Sequence, residues 1–434
     1  MAQLRVGDSV TVLADGLDRL VAALAALGYA TVGPTVRDGA IVPGAIGAAS
    51  DLPRGWHDEQ SPGSYRVRHD DGDGELFGWA VGPASYKGEL FPSEQTVWRA
   101  RREDGEVVLE DGRDTDRPLA IVGARPCELA GLEVLDSVLL GGPVRDRRYG
   151  DRRAGTFVVV AECGRPSGAC FCTSMGTGPS AGPAEPAGVA HVGGAPGGAE
   201  GAGETRGRRF DLAMAEVGAT VPVDARDVEH RGHASTRGEA RSGAHRLVVT
   251  VGSERGASLL EHVPHVRSSA TDRAARAEVL AAAAARMGRS LDTDGLAALL
   301  ARNLSNPRWD EVAERCLSCG NCTMVCPTCF CTDVDDVSDV RGGLERTRRW
   351  SSCFDLAHSY VHGGPVRSSA ASRYRQWATH KLSTWFDQFH TSGCVGCGRC
   401  IAWCPVGIDI TEEAAAIRAT DGVQARAAAP RGKP

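Results

Sequence analysis

The first part of the chain alternates helix-like and strand-like patterns of apolar residues. Near the N-terminus, apolar residues three and four positions apart predict an amphipathic helix at Leu17, Leu20, Val21, Leu24 and Leu27. The runs 119–122 and 156–160 are short, β-branched and bounded by turn formers, which predicts buried strands. Together these patterns favour a mixed α/β domain at the N-terminus.

Two low-complexity stretches interrupt this pattern, at about 176–207 and 224–244. The first is rich in Gly, Ala and Pro and the second is charged, so neither can bury enough apolar surface to offset chain entropy. We expect both to be disordered insertions. Strand patterns at 210–223 and 245–252 are expected to return to the same sheet, and the N-terminal domain is therefore predicted over 1–265.

The remainder of the chain has helical patterns and a cysteine-rich segment. Strong helix formers at 271–303 predict one or two helices within a connector over 266–304. Ser305-Asn306-Pro307 supplies a helix cap followed by proline at a first helical position. A cysteine-rich domain is predicted over 305–420 and a frayed tail over 421–434. The expected fold class is α+β, with a mixed α/β domain followed by a largely helical, ferredoxin-like domain.

Composition and charge exclude several classes of protein. A formal charge of −6 without a clustered basic face does not indicate nucleic-acid binding. No apolar run reaches the roughly 18 residues of a membrane span, and the N-terminus lacks the features of an export signal. We therefore expect a cytoplasmic protein. Its 15 cysteines then favour metal binding over disulfides, because the cytosol keeps thiols reduced.

Eight of the cysteines form two copies of one motif, C-x2-C-x2-C-x3-C-P. The first copy consists of Cys316, Cys319, Cys322 and Cys326, and the second of Cys394, Cys397, Cys400 and Cys404. In two-cluster ferredoxins the fourth cysteine of each run binds the other cluster. The prediction is therefore two [4Fe–4S] clusters, one on Cys316, Cys319, Cys322 and Cys404, the other on Cys394, Cys397, Cys400 and Cys326. Zinc is the alternative, but it would not need the third close cysteine or the proline.

Seven cysteines lie outside the two motifs. Three are close to them in sequence (Cys329, Cys331 and Cys353), and four belong to the N-terminal domain (Cys127, Cys163, Cys170 and Cys172). Four thiols are enough for a third cluster or another metal, but their spacing matches no standard run. Buried, inert thiols are the alternative, and the sequence leaves this question open.

No motif for a catalytic reaction is present. The chain has no dinucleotide-binding fingerprint, P-loop, zinc-protease helix or nucleophile elbow. We therefore expect a non-catalytic electron-transfer subunit of an oxidoreductase complex, with turnover in partner subunits. The helical segment 373–390 between the motifs is either a solvated helix packed on the core or a docking face for a redox partner.

Several segments resemble one family. The chain resembles the beta subunit of cytosolic NAD(P)-linked NiFe hydrogenases, or sulfhydrogenases, and is similar to the electron-input subunit of anaerobic sulfite reductase. The similarity is carried by CFCTSMGTGP and CPTCFC, within a set of segments at 86–99, 121–136, 161–179, 315–336, 349–355, 373–381 and 393–410. The resemblance implies a relay between a flavin subunit that uses NAD(P) and the small and large hydrogenase subunits. It also implies that the extra cysteines could hold metal.

Other functions compete with this interpretation. The chain could instead supply electrons to an anaerobic sulfite reductase, as the input component of that enzyme. Its clusters could also be structural in a protein that does no redox work, which reversible reduction at low potential would exclude. Finally, the N-terminal domain could hold a flavin without a recognisable motif, which a yellow chromophore in the isolated chain would reveal.

Overall fold

The fold was analysed in a computed structural model, which describes residues 3–13, 16–71, 74–104, 106–112, 117–182, 210–218, 245–340 and 343–423. The strands are β1 (Ser9–Leu13), β2 (Ala30–Arg37), β3 (Ala40–Ala45), β4 (Trp56–Ser61), β5 (Ser64–His69), β6 (Glu94–Glu103), β7 (Glu106–Asp111), β8 (Leu119–Ala124), β9 (Phe157–Ala161), β10 (Leu212–Val217), β11 (Arg246–Val251), β12 (Val266–Arg267), β13 (Thr332–Ser338), β14 (Leu344–Trp350), β15 (Tyr360–Val361) and β16 (Gly364–Pro365). The helices are α1 (Gly16–Ala26), α2 (Lys87–Leu90), α3 (Pro126–Leu140), α4 (Arg147–Gly155), α5 (Glu254–Leu260), α6 (Ala270–Ala285), α7 (Leu296–Arg302), α8 (Arg308–Arg315), α9 (Asn321–Met324), α10 (Ala370–Thr379), α11 (Trp385–Phe389), α12 (Arg399–Ala402) and α13 (Ile410–Ala419). A π-helical segment, His380–Thr384, joins α10 to α11.

An eight-stranded mixed sheet organises the N-terminal half, in the order β12-β1-β11-β10-β9-β8-β2-β3. Its centre is parallel, because β2, β8, β9 and β10 pair in the same direction, whereas both edges are antiparallel. Strands β8 and β9 are buried on both faces, as a parallel core requires. The predicted strands at 119–122 and 156–160 are confirmed, and those within 210–223 and 245–252 return to the same sheet.

The main hydrophobic core lies between this sheet and its helices. Helix α1 buries Leu17, Leu20, Val21 and Leu24 on one face, so the predicted amphipathic helix is confirmed. These side chains pack with apolar residues of the central strands. Leu27, which the same pattern included, lies beyond the end of α1 and is exposed.

A second sheet joins the two halves of the chain. Its order is β13-β14-β6-β7, so a hairpin from between the two cysteine motifs pairs with a hairpin from the N-terminal half. The cysteine-rich half is thus less helical than predicted. The sequence TDVDDVS of β13 is almost wholly exposed, so it carries no alternation of buried and exposed residues that would predict a strand. The connector also differs from its prediction, since it begins with β12, which pairs with β1.

The helices expected after residue 270 are confirmed as α6 and α7. Before α8, the Asn306 side chain accepts a hydrogen bond of 2.9 Å from the Arg308 amide, but Pro307 occupies the N-cap position and not the predicted first helical position. The predicted insertions and tail fall mostly outside the described residues, apart from 176–182 and 421–423. None of the helices in the described ranges is long and apolar enough to cross a lipid bilayer.

Candidate metal centre

The two cysteine motifs fold into matching local structures. In each, a glycine with positive φ, Gly320 at +76° or Gly398 at +78°, precedes a four-residue helix. A second position with positive φ lies two residues earlier, at Ser318 and Gly396. Because the same turns recur at the same positions, the two motifs form an internal structural repeat.

The repeat directs backbone N–H groups at the first cysteine of each motif. The Ser318 amide donates to Cys316 Sγ over 3.4 Å, and the Gly396 amide donates to Cys394 Sγ over the same distance. Such N–H···S hydrogen bonds stabilise a thiolate and tune a metal site that uses it.

Cysteines from both motifs line one cavity. Cys316, Cys319 and Cys322 of the first motif lie there with Cys404, the last cysteine of the second motif, and Cys400 also borders it. The wall is completed by Phe354, Tyr374 and Trp377, which are buried. Cys319 is exposed, so this cavity lies at the surface of the protein.

The remaining motif cysteines form a second, deeper group. Burial raises the pKa of Cys400 well above its usual value, and the nearby sulfurs of Cys394, Cys397 and Cys326 raise it further. Burial also raises the pKa of Cys394 to about 12, and the sulfurs of Cys397 and Cys326 contribute to this increase. Cys326, the last cysteine of the first motif, lies beside the start of the second, because Lys381 Nζ donates both to Cys326 Sγ over 3.2 Å and to the carbonyl of Gly393, next to Cys394, over 3.3 Å.

A buried lysine that the sequence interpretation missed contacts this second group. Lys381 lies in the π-helical segment after α10, and its Nζ donates to Cys326 Sγ over 3.2 Å and to Thr328 Oγ1 over 3.1 Å. A hydrogen bond from Cys329, together with Lys381, holds the pKa of Cys326 well below its usual value. The segment 373–390 was expected to be either a solvated helix packed on the core or a docking face for a redox partner. Its amphipathic pattern, in which Tyr374 and Trp377 are buried, could have indicated that Lys381 one turn later also faces inward.

The N-terminal half holds the second motif in place through a buried ion pair. Arg399 lies between Cys397 and Cys400, and its Nη2 lies 2.7 Å from Glu128 Oε1 on α3. The same guanidinium donates from Nε to the Gly82 carbonyl over 2.7 Å. Burial opposes the charge on Arg399, but Glu128 keeps its pKa above the ordinary value.

The seven cysteines outside the motifs fall into two groups in space. Cys329, Cys331 and Cys353 line a cavity of about 220 Å³ together with Lys381 and His358. The four N-terminal cysteines line a different cavity, beside the second motif: Cys127, Cys163, Cys170 and Cys172. Among the residues that the structure describes, all cysteines are free and no three His, Cys, Asp or Glu side chains converge closely enough to surround a single metal ion.

Comparison with known proteins identifies the domain and the family of this chain. Residues 315–408 match the 4Fe-4S dicluster domain, a range that includes both motifs. The chain is 30% identical over 311 residues to sulfhydrogenase 2 subunit beta of Pyrococcus furiosus, an alignment that covers 70% of this chain and 74% of that protein. It belongs to the sulfhydrogenase beta-subunit family. No solved structure matches it. In this sulfhydrogenase-type beta subunit, the dicluster domain supports iron–sulfur chemistry and an electron-transfer role.

Proposed function

We propose that this chain relays electrons through two [4Fe–4S] clusters in a cytoplasmic NiFe hydrogenase complex. The observation that carries the proposal is the exchange of fourth cysteines between the motifs. Cys404 lines a cavity with Cys316, Cys319 and Cys322, whereas Cys326 shares the Lys381 ammonium group with the carbonyl of Gly393, next to Cys394. Two-cluster ferredoxins share their ligands in this way, and the exchange holds the two clusters close together.

The donor sets fit this assignment. Cys316, Cys319, Cys322 and Cys404 would hold the first cluster, and Cys394, Cys397, Cys400 and Cys326 the second. Both sets consist of thiols, the ligand type that iron–sulfur clusters require. When bound, each cluster would accept and release one electron at a time.

The surrounding residues have complementary roles. The amides of Ser318 and Gly396 donate to ligand sulfurs, and Lys381 places a positive charge beside Cys326. Buried aromatic residues exclude water from the inner wall of the first cavity. These features stabilise the added negative charge of a reduced site without a large movement of solvent.

The relay would have an end at the protein surface. The first cavity is bordered by Cys319, Leu317 and Val406, all of which are exposed. An exposed apolar border around a redox site suits a docking partner subunit. The family resemblance names the partners: a flavin subunit that uses NAD(P), and the small and large hydrogenase subunits.

The test uses the anaerobically purified complex and the isolated chain. The chain should contain at least about eight irons and eight acid-labile sulfides, since each cubane holds four of each. Dithionite reduction should give EPR signals with magnetic coupling between neighbouring clusters. The complex should oxidise NAD(P)H with formation of hydrogen. Zinc in place of iron would refute the relay, and sulfite reduction without hydrogenase activity would move the chain to a sulfite reductase.

A further inference from the structure

Four cysteines that the two motifs do not use converge on one cavity. Cys127, Cys163, Cys170 and Cys172 line it, and each is less than 9% exposed. Apart from Arg125, the rest of the lining is apolar or glycine, contributed by Ala80, Val81, Pro126, Pro166, Gly178 and Pro179. The four thiols are 45 residues apart from first to last in the chain, so this convergence is a property of the fold.

The sheet topology explains why they meet. Strands β8 and β9 are parallel neighbours, and Cys127 and Cys163 follow their carboxyl ends by three and two residues. The carboxyl ends of adjacent parallel strands lie at the same edge of a sheet, which is where α/β proteins place their sites. The loop after β9 then folds back and brings Cys170 and Cys172 to the same edge.

That loop is fixed against the second cysteine motif. The Phe171 amide donates to the Gly396 carbonyl over 2.8 Å, and Thr177 Oγ1 donates to the Val395 carbonyl over 2.6 Å. Cys170 Sγ lies 3.8 Å from the Cys397 carbonyl oxygen. The four-cysteine cavity is therefore adjacent to the second candidate cluster.

The cavity also contains a positive charge suited to bound thiolates. Arg125 is 1% exposed, and its terminal nitrogens donate to backbone carbonyls, including those of Phe77 and Glu162. Its Nε is buried and has no hydrogen-bond partner among the described residues. Cys127 lies in the first turn of α3, where the helix dipole favours negative charge. An ordinary hydrophobic core would not require a buried guanidinium group, so Arg125 distinguishes this cavity from one.

Four cysteine thiols are the donor set that a [4Fe–4S] cluster requires. Zinc holds thiolates at about 2.3 Å, which needs four sulfurs close to a single point. Within the described ranges no three potential ligands converge that closely, and this is equally true of the eight motif cysteines. A zinc ion and a cluster at the four thiols are distinguished by the metal and sulfide content of the chain.

We propose that Cys127, Cys163, Cys170 and Cys172 bind a third [4Fe–4S] cluster, next to the second. The inference rests on the proposed relay function, which it extends into the N-terminal domain. Metal binding would displace the thiol protons at this site, as it does at other cysteine sites.

The experiment compares iron and sulfide per chain in the full-length protein and in Cys170→Ser and Cys163→Ser variants. Each variant should lose about four irons relative to the unsubstituted chain, one cubane's content. The coupled EPR signals of the motif clusters should persist in both. Ala130→Ser is the matched control, because it buries a hydroxyl one turn after Cys127 on the same helix and removes no thiol. Its iron content should stay unchanged.

The outcomes separate the two proposals. An unchanged iron count in both cysteine variants would overturn the third cluster, and so would zinc at this site. If the cysteine variants lose the coupled EPR signals while the control keeps them, these thiols support folding of the motif domain. That result would also overturn the proposed third cluster. Fewer than about eight irons in the unsubstituted chain would refute the two-cluster relay itself.

Discussion

Arg399 and Glu128 form a fully buried ion pair that links the second cysteine motif to the N-terminal sheet domain. Arg399 Nη2 lies 2.7 Å from Glu128 Oε1, with side-chain exposures of 1% and 5%. Glu128 also caps α3, because its other oxygen accepts a hydrogen bond of 3.1 Å from the Arg125 amide. One carboxylate thus fixes both the start of α3 and the position of the second motif.

Removal of one member of this pair should be strongly destabilising. Glu128→Ala leaves the Arg399 charge buried and unpaired, which costs about 3–5 kcal/mol in comparable sites. The double variant Glu128→Ala/Arg399→Met should lose less than the sum of the two single variants, because neither charge remains. Thermal unfolding of the iron-loaded chain measures this difference.

Asp336→Asn, in the exposed pair with Arg346, is the control and should change stability little. Additive losses in the double variant would show that the two residues do not act as a pair.

The close approach of two loops at Gly396 gives a second prediction. Gly396 has φ of +64°, and a Cβ there would lie 2.6 Å from the Phe171 carbonyl oxygen and 2.8 Å from Cys172 Cα. These are backbone atoms that cannot rotate away, so Gly396→Ala should displace the second motif from the loop. We expect a lower melting temperature and loss of about one cluster's iron, four atoms per chain.

Gly295 provides the matched control for this substitution. Its φ is +58°, and a Cβ there would meet no heavy atom within 4 Å. Gly295→Ala should therefore show only the strain of the left-handed backbone, about 1–2 kcal/mol, and retain its iron. Equal effects of the two substitutions would show that the loop contact at Gly396 is unimportant.

The parts of this molecule that sequence could predict depend on local patterns. The motif spacing predicted eight candidate ligands, and β-branched runs predicted β8 and β9. The mostly exposed strand β13 could not be predicted, because it has no alternating pattern and its partner β14 is held by pairing with the distant strand β6. Arg399 was missed because only the packing of α3 against the second motif buries its charge. Lys381 was missed although the helical spacing from Trp377 places it on the buried face.

The buried charge of Lys381 should raise the reduction potential of the second cluster. Its Nζ lies 3.2 Å from Cys326 Sγ and is shielded from solvent. A cation that donates to a ligand sulfur stabilises the more negative, reduced state. Lys381→Met should therefore lower the midpoint potential, where roughly 60 mV corresponds to about 1.4 kcal/mol for one electron. EPR-monitored redox titration measures the shift. Lys381→Arg keeps the charge and should restore most of the potential, whereas equal potentials in all three proteins would refute the role.

The last prediction concerns Lys87 and the pH dependence of stability. Burial lowers the pKa of Lys87 from 10.5 to about 8, although the sulfurs of Cys329 and Cys326 oppose this shift. The Nζ donates to the Cys329 carbonyl over 3.0 Å and lies 3.5 Å from the centre of the Trp350 ring. Since the folded state loses this proton more easily, the unfolded chain binds more protons between pH 8 and 10.5, and stability rises with pH across that window.

Lys87→Met removes this proton from both states, so comparison with the unsubstituted chain isolates its contribution. Titrating groups that do not interact with Lys87 are common to the two proteins and cancel in the difference. The stability of the unsubstituted chain relative to Lys87→Met should increase by about 3 kcal/mol between pH 8 and 10.5, and be constant below about pH 7. Anaerobic urea unfolding at three pH values measures the difference. A difference that stays flat across the window would mean that Lys87 keeps an ordinary affinity for its proton despite its burial between β14 and the Cys329 carbonyl.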